Sequence, residues 1–231
     1  MGNKLCVLYD YWHSFSLFLC ERIAQLYNNY TTNMRNITLI TLFVGACAFI
    51  TSAYAEISGN IGVTSNYLWR GTTQSSDESA VSGGLDYAGE SFYAGTWVSE
   101  ADWADGITTE VDLYIGTDIN GFDVGIIKYM YPGARANDFT EAYVGYSISG
   151  FDLSYAFDID TTDNEFYSIS YGFDIVEGVT GTLTFGDYSF EGGDGDYDYT
   201  QLDIAYGDLT ITYSDGGAED AIYAVSYGWG F

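Results

Sequence analysis

The last eleven residues, Ala221-Ile222-Tyr223-Ala224-Val225-Ser226-Tyr227-Gly228-Trp229-Gly230-Phe231, place a large apolar group at every second position. Side chains alternate between the two faces of a strand, so Tyr223, Val225, Tyr227, Trp229 and Phe231 share one side. Ile222, Ala224, Ser226, Gly228 and Gly230 share the other. A side of rings backed by a side of small groups suits a strand that meets lipid outside and a crowded interior within. A soluble edge strand has the same period and is the rival reading of this segment.

The same alternation recurs upstream. It predicts twelve strands near 56–70, 79–88, 91–99, 109–119, 122–131, 139–148, 151–159, 165–175, 179–188, 198–206, 208–214 and 220–231; ten or fourteen fit if a hairpin is split or merged. The clearest apolar rows are Ile57/Ile61/Val63/Tyr67/Trp69, Val111/Leu113/Ile115/Ile119, Phe151/Leu153/Tyr155/Phe157/Ile159, Tyr167/Ile169/Tyr171/Phe173 and Leu209/Ile211/Tyr213. Most partners across the pleat are small, polar or acidic. Period alone does not choose between a sandwich and a barrel, but the connections do. Gly89-Glu90, Asn120-Gly121, Ser149-Gly150, Glu177-Gly178 and Gly207-Asp208 are two-residue hairpin signals. Longer links, 71–78, 100–108, 132–138, 160–164, 189–197 and 215–219, fall between them. This rhythm predicts an all-β, up-and-down antiparallel transmembrane barrel with both termini on the tight-turn, periplasmic side.

The N-terminal part agrees about the compartment. Met34-Arg35-Asn36 opens an apolar run from Ile37 to Ile50, and Ala53-Tyr54-Ala55 supplies the small-x-small pattern of secretory cleavage. Residues 34–55 therefore read as a signal peptide, with 1–33 an extension from a start codon assigned too early and 56–231 the barrel. Lipidation at Cys47 is the alternative, after an imperfect lipobox. All three cysteines and the single histidine lie before residue 56. From 56 onwards, three basic residues, Arg70, Lys128 and Arg135, face 31 acidic ones (33 less Asp10 and Glu21), a formal charge of 3 − 31 = −28. That balance argues against nucleic acid and anionic membrane surfaces as partners. Eighteen of the 23 tyrosines lie in this part, many near strand ends, as in an interfacial girdle. Phe231, with Tyr223, Tyr227 and Trp229 before it, resembles the signal read by the outer-membrane barrel assembly machinery of Gram-negative bacteria.

Without histidine or cysteine, the barrel has no Ser-His or Asp-His arrangement and no soft metal ligands, so the expectation is no enzyme, no cofactor and no metal. The loop Glu191-Gly192-Gly193-Asp194-Gly195-Asp196-Tyr197-Asp198 has alternate aspartates but misses the calcium-loop positions, leaving only weak divalent binding open. Inward rows carry Glu110, Asp112 and Asp118 on one strand, with Asp86, Glu141, Asp152, Asp158, Asp174 and Asp203 at corresponding positions of others. These acids either line a lumen, concentrating cations, or sit solvated at strand ends. Arg70, placed at the top of the first strand, is expected to pair with Glu110 or Glu141, narrowing the bore or offsetting repulsion. Lys128 falls in an apolar row, so it either snorkels or inverts at a bulge. Inward Tyr114, Tyr129, Tyr131 and Tyr143 count against a wide bore. Small residues such as Gly62, Ser82, Gly116, Gly125, Gly186, Ser226 and Gly228 count for an opening, and the external links read as too short for a deep plug.

Several motifs in order, Ser65-Asn66-Tyr67-Leu68-Trp69-Arg70-Gly71-Thr72-Thr73-Gln74-Ser75, Phe92 to Trp97, Glu110 to Gly116, Tyr129 to Gly133 and Glu141 to Gly145, resemble those of the TorF-type porin family, long catalogued as a conserved hypothetical protein of proteobacteria. The resemblance covers about the whole of 56–231 and implies an outer-membrane barrel and a channel, with no known substrate. The expected function is passive diffusion of small hydrophilic solutes, cations or neutral molecules, across the outer membrane. Lipid and lipopolysaccharide are the expected neighbours. The competing expectation is a filled, non-conducting barrel with a structural or surface-interaction role.

Overall fold

The computed structural model describes residues 56–160, 163–217 and 219–231. Ala53, Ala55, Cys47 and the leader over 1–55 lie outside them. Fourteen strands run in order: β1 (Glu56–Thr64), β2 (Leu68–Trp69), β3 (Thr72–Thr73), β4 (Ala80–Ala88), β5 (Tyr93–Glu100), β6 (Thr109–Ile119), β7 (Phe122–Met130), β8 (Phe139–Ile148), β9 (Phe151–Asp158), β10 (Glu165–Val176), β11 (Val179–Ser189), β12 (Tyr197–Tyr206), β13 (Leu209–Gly216) and β14 (Glu219–Gly230). Twelve of them form a closed antiparallel barrel in which β1 pairs with β4 on one edge and β14 on the other. β2 and β3 pair only with each other. At the seam, Gly59 N–H donates to Phe231 O at 2.8 Å and Phe231 N–H returns to Gly59 O at 2.9 Å. Closure satisfies the edge groups that an open sheet would leave unpaired.

One rim carries the tight turns. Asn120-Gly121 (φ 57° and 86°) and Ser149-Gly150 (φ 53° and 83°) have the two left-handed residues of a type I′ turn. Gly121→Val is expected to lower stability by about 1–2 kcal/mol, because a β-branched residue is forced into the left-handed region; the shift of the urea midpoint in vesicles measures it. Two links differ from expectation. Gly89 N–H bonds to Phe92 O, so the first tight turn is Glu90-Ser91, one residue later than read. The link expected over 215–219 shrinks, because Gly216 pairs with Glu219 across a register shift. A bulge there absorbs one residue.

The outward rows are apolar around the barrel, from Ile61 (47 % exposed) through Ile115 and Leu183 to Val225 and Trp229. Tyr223, Tyr227, Trp229 and Phe231 lie on this face as expected. An exposed apolar surface of this extent is foreign to soluble monomers. The inward rows carry the polar and small residues. One apolar row is shorter than read: β1 ends at Thr64, and Tyr67 and Trp69 leave the outward face. Thr64 Oγ1 donates to Asn66 O at 2.7 Å and Asn66 Nδ2 donates to Asp77 Oδ1 at 2.7 Å, which turns the chain out of the ladder.

Candidate functional site

The link between β1 and β4 crosses the barrel interior. Leu68 pairs with Thr73 and Trp69 with Thr72, leaving Arg70-Gly71 as a two-residue turn with φ 49° and 81°. Local bonds hold the hairpin together: Tyr67 N–H to Ser75 Oγ at 2.9 Å, Thr73 Oγ1 to Asn66 Oδ1 at 2.6 Å and Thr72 Oγ1 to Trp69 O at 3.0 Å. At the tip, a Cβ on Gly71 would lie 2.5 Å from the Tyr199 ring, so glycine is required for the close approach to β12 as well as for the turn. Tyr67 packs edge-on against Trp97 of β5 and donates to Glu110 Oε1 of β6 at 3.1 Å. Trp69 meets Tyr129 of β7, Phe139 of β8 and Tyr188 of β11. The plug is thus wedged against strands on several sides of the lumen, contrary to the expectation that the links are too short for one.

Arg70 sits at the centre of this plug. Its two terminal nitrogens donate to Glu141 Oε1 and Oε2, each at 2.7 Å, with side-chain exposures of 9 % and 1 %. The guanidinium lies 4.0 Å from the Phe166 ring, 4.2 Å from Trp69 and 5.1 Å from Tyr188. Tyr129 Oη donates to Glu141 Oε2 at 3.3 Å. Burial acts against the charge on Arg70, yet the bonds and charge of Glu141 hold its pKa above the ordinary value. Burial, followed by the charges of Glu110 and Asp112, pushes the Tyr67 phenol far above its usual range. Of the two expected partners of Arg70, the geometry selects Glu141. The residue itself lies on a hairpin tip rather than at the end of β1, as the turn at Thr64 dictates.

The remaining acids separate by depth. Glu110 and Asp112 are buried beside the plug, and Asp112 Oδ1 has no hydrogen-bond partner among the described residues. Asp203 faces inward on the opposite side, accepting from Thr212 Oγ1 at 2.5 Å and Gln201 Nε2 at 2.8 Å. Asp118 and Asp158 lie at the rims: Asp118 Oδ1 accepts the Gly121 N–H at 3.0 Å, and Asp158 Oδ1 accepts the Asp160 N–H at 2.7 Å. Each of the two thus bonds a backbone N–H of the adjoining link. Lys128 stays in its outward row and pairs with Asp160 at 2.6 Å. Partial burial raises the Asp160 carboxyl, but the bonds from Lys128 and Thr140 outweigh this and leave it below its ordinary value. In the acidic loop, Asp196 Oδ1 accepts the Phe190 N–H at 2.7 Å and so closes the loop on itself.

Among the described residues, two cavities lie along the seam, an inner one of mixed lining and a more polar one at the rim. The inner one, about 270 Å³, lies between Asn66, Tyr67 and Leu68 of the plug and a wall that includes Gly62, Ser82, Gln201, Thr212 and Ser226. The other, about 470 Å³, opens at the loop rim among Ser65, Asp77, Asp220 and Tyr223. Asn66 lines both.

A protein-family model described as a bacterial protein of unknown function (Gcw_chp) matches residues 48–223. The chain belongs to the Gcw_chp family. No curated protein matches it. Among solved structures it is similar to one from work on the in-meso crystallization of membrane proteins, at 10 % identity over 76 % of this chain and 83 % of that one, with a TM-score of 0.47. It is also similar to the COG4313 outer membrane channel of Pseudomonas putida F1, at 9 % identity, 77 % and 95 % coverage and a TM-score of 0.37. A third is OccAB3 of Acinetobacter baumannii, at 12 % identity, 79 % and 66 % coverage and a TM-score of 0.35.

In this Gcw_chp chain, several inward glycines serve a purpose that sequence reading missed. Gly95, Gly116, Gly125 and Gly186 lie directly across from Tyr114, Tyr93, Tyr143 and Tyr199, and in each case a Cβ would sit 2.3 Å from the tyrosine's side chain. In each pair the outer end of the ring occupies the space above the facing glycine. Gly116, Gly125 and Gly186 therefore accommodate rings instead of widening a bore. The signal was present as glycine on one inward row and tyrosine at the facing register, but it needs the pairing to be seen.

Proposed function

We propose that the chain is an outer-membrane barrel that passes small hydrophilic solutes along its β1–β14 seam, favouring cations and neutral molecules over anions. The observation that carries this reading is a pair of cavities that share Asn66 in their linings, one at the loop rim and one inside the barrel. Gly62, Ser82, Ser99, Thr212 and Ser226 line the inner cavity together with the rings of Tyr67 and Trp97, whereas the buried aromatic clusters fill the opposite sector. The exclusion of anions rests on charge: the described linings hold aspartate at the rim and Asp203 bonded to two inner lining residues, while Arg70 is neutralised by Glu141. The apolar outer surface supports a lipid setting, and the resemblance to TorF-type porins points the same way. This reading makes lipid and lipopolysaccharide the surroundings, the barrel assembly machinery the means of insertion, and the outer membrane of a Gram-negative cell the location. It gives the barrel no catalytic task.

The plug favours a second reading, a barrel without conductance that serves a structural or surface-interaction role. Planar-bilayer recording on the protein extracted from membranes of cells expressing the full chain separates the two. Under a tenfold KCl gradient, the channel reading expects discrete steps with a reversal potential on the K⁺ side. A folded, heat-modifiable barrel that gives no steps establishes the second reading in its place.

A further inference from the structure

The plug presents its arginine to the wall as a ligand is presented to a receptor. Glu141, Phe166 and Tyr188 come from β8, β10 and β11, three strands of the barrel itself, so the backbone of each is held by strand pairing and not by the link that carries Arg70. Between them they supply what a planar cation needs: two carboxylate oxygens at 2.7 Å in a fork, one ring face at 4.0 Å and another at 5.1 Å. Tyr129 donates to the same carboxylate and orients it. The occupant hangs on a hairpin of two-residue strands that pairs with no barrel strand, at a turn whose arginine has φ 49°. A guanidinium in solution presents the same fork and the same flat face.

We propose that Glu141, Phe166 and Tyr188 form a binding site for guanidinium-bearing solutes, and that Arg70 fills it as a tethered competitor. While Arg70 is seated, the link over residues 65–79 confines the lumen to the cavities along the seam, and a free guanidinium solute displaces it. This deepens the channel reading and rests on it for passage, though not for binding.

The test uses full-length protein extracted in detergent, with Arg70→Ala and Arg70→Ala/Glu141→Gln as variants. Methylguanidinium chloride is titrated at constant ionic strength while the temperature of the heat-modifiable gel shift is followed. In R70A the temperature rises with methylguanidinium, half-maximally on the order of millimolar, and methylammonium is about tenfold weaker because it lacks the fork. The double variant, with no carboxylate left to pair, does not respond. Equal effects of the two cations on R70A, or none, overturn the site. If R70A does not fold alone, folding yield against methylguanidinium is read instead: a rising yield supports the site, and a flat one while the double variant folds overturns it. In bilayers, methylguanidinium blocks R70A current if the channel reading holds. Binding without current leaves the site standing and removes the channel.

Discussion

Glu141→Ala is expected to destabilise the barrel by about 3–5 kcal/mol, far more than loss of an exposed ion pair. The reason is what remains behind. With the carboxylate gone, Arg70 keeps a full charge among Trp69, Phe166 and Tyr188 at 9 % side-chain exposure, and both of its short bonds are unmade. Ring faces compensate only about 0.5–2 kcal/mol of that loss. The escape available to the protein is to withdraw the hairpin, which would break the contacts of Tyr67 and Trp69 with the wall. Removing both charges together should be far milder, since a buried pair replaced by apolar groups is often neutral in stability. Urea unfolding in lipid vesicles, followed by tryptophan fluorescence, measures both variants. A loss below about 1 kcal/mol for E141A would mean that water reaches Arg70, and the plug would then not be held by this pair.

The strand plan was legible because a barrel wall leaves each residue only two choices of direction. Ile57, Ile61 and Val63 against Ser58, Asn60 and Gly62 define β1 without reference to anything else. The turns at Asn120-Gly121 and Ser149-Gly150 carry their own backbone requirement, so their register followed as well. What could not be read is where alternation ceases to matter. Tyr67 and Trp69 continue the period of β1 on paper, yet they belong to the plug, since the bonds made by Thr64 and Asn66 turn the chain inward before they are reached. Arg70-Gly71 between Leu68-Trp69 and Thr72-Thr73 is a hairpin signal, hidden by the longer strand drawn through it. The choice of Glu141 over Glu110 depends on how far the hairpin reaches across the lumen, a three-dimensional fact with no local trace. The tyrosine-over-glycine pairs are a middle case: Tyr143 was read as an obstruction and Gly125 as an opening, and only register shows that they are halves of one contact.

Leu183→Arg is the substitution whose cost depends most on what surrounds the barrel. Leu183 lies near the middle of β11, points outward at 48 % exposure and sits beside Leu202 and Tyr171 of the neighbouring strands. If hydrocarbon covers it, an arginine there costs about 2–4 kcal/mol near the midplane, even after snorkelling. If water covers it, the same change falls within about 0.5 kcal/mol, as surface substitutions do. The adjacent inward residue provides the control. Thr182 pairs with Asp203, so Thr182→Arg introduces a cation opposite a carboxylate in a polar interior and is expected to change stability by less than about 1 kcal/mol. The two variants add the same side chain one residue apart, and their unfolding free energies in vesicles differ only through the face each one occupies. Equal, small effects at both positions would remove the lipid from the outer face and with it the membrane reading; a loss confined to Leu183→Arg would assign the apolar rows to the bilayer.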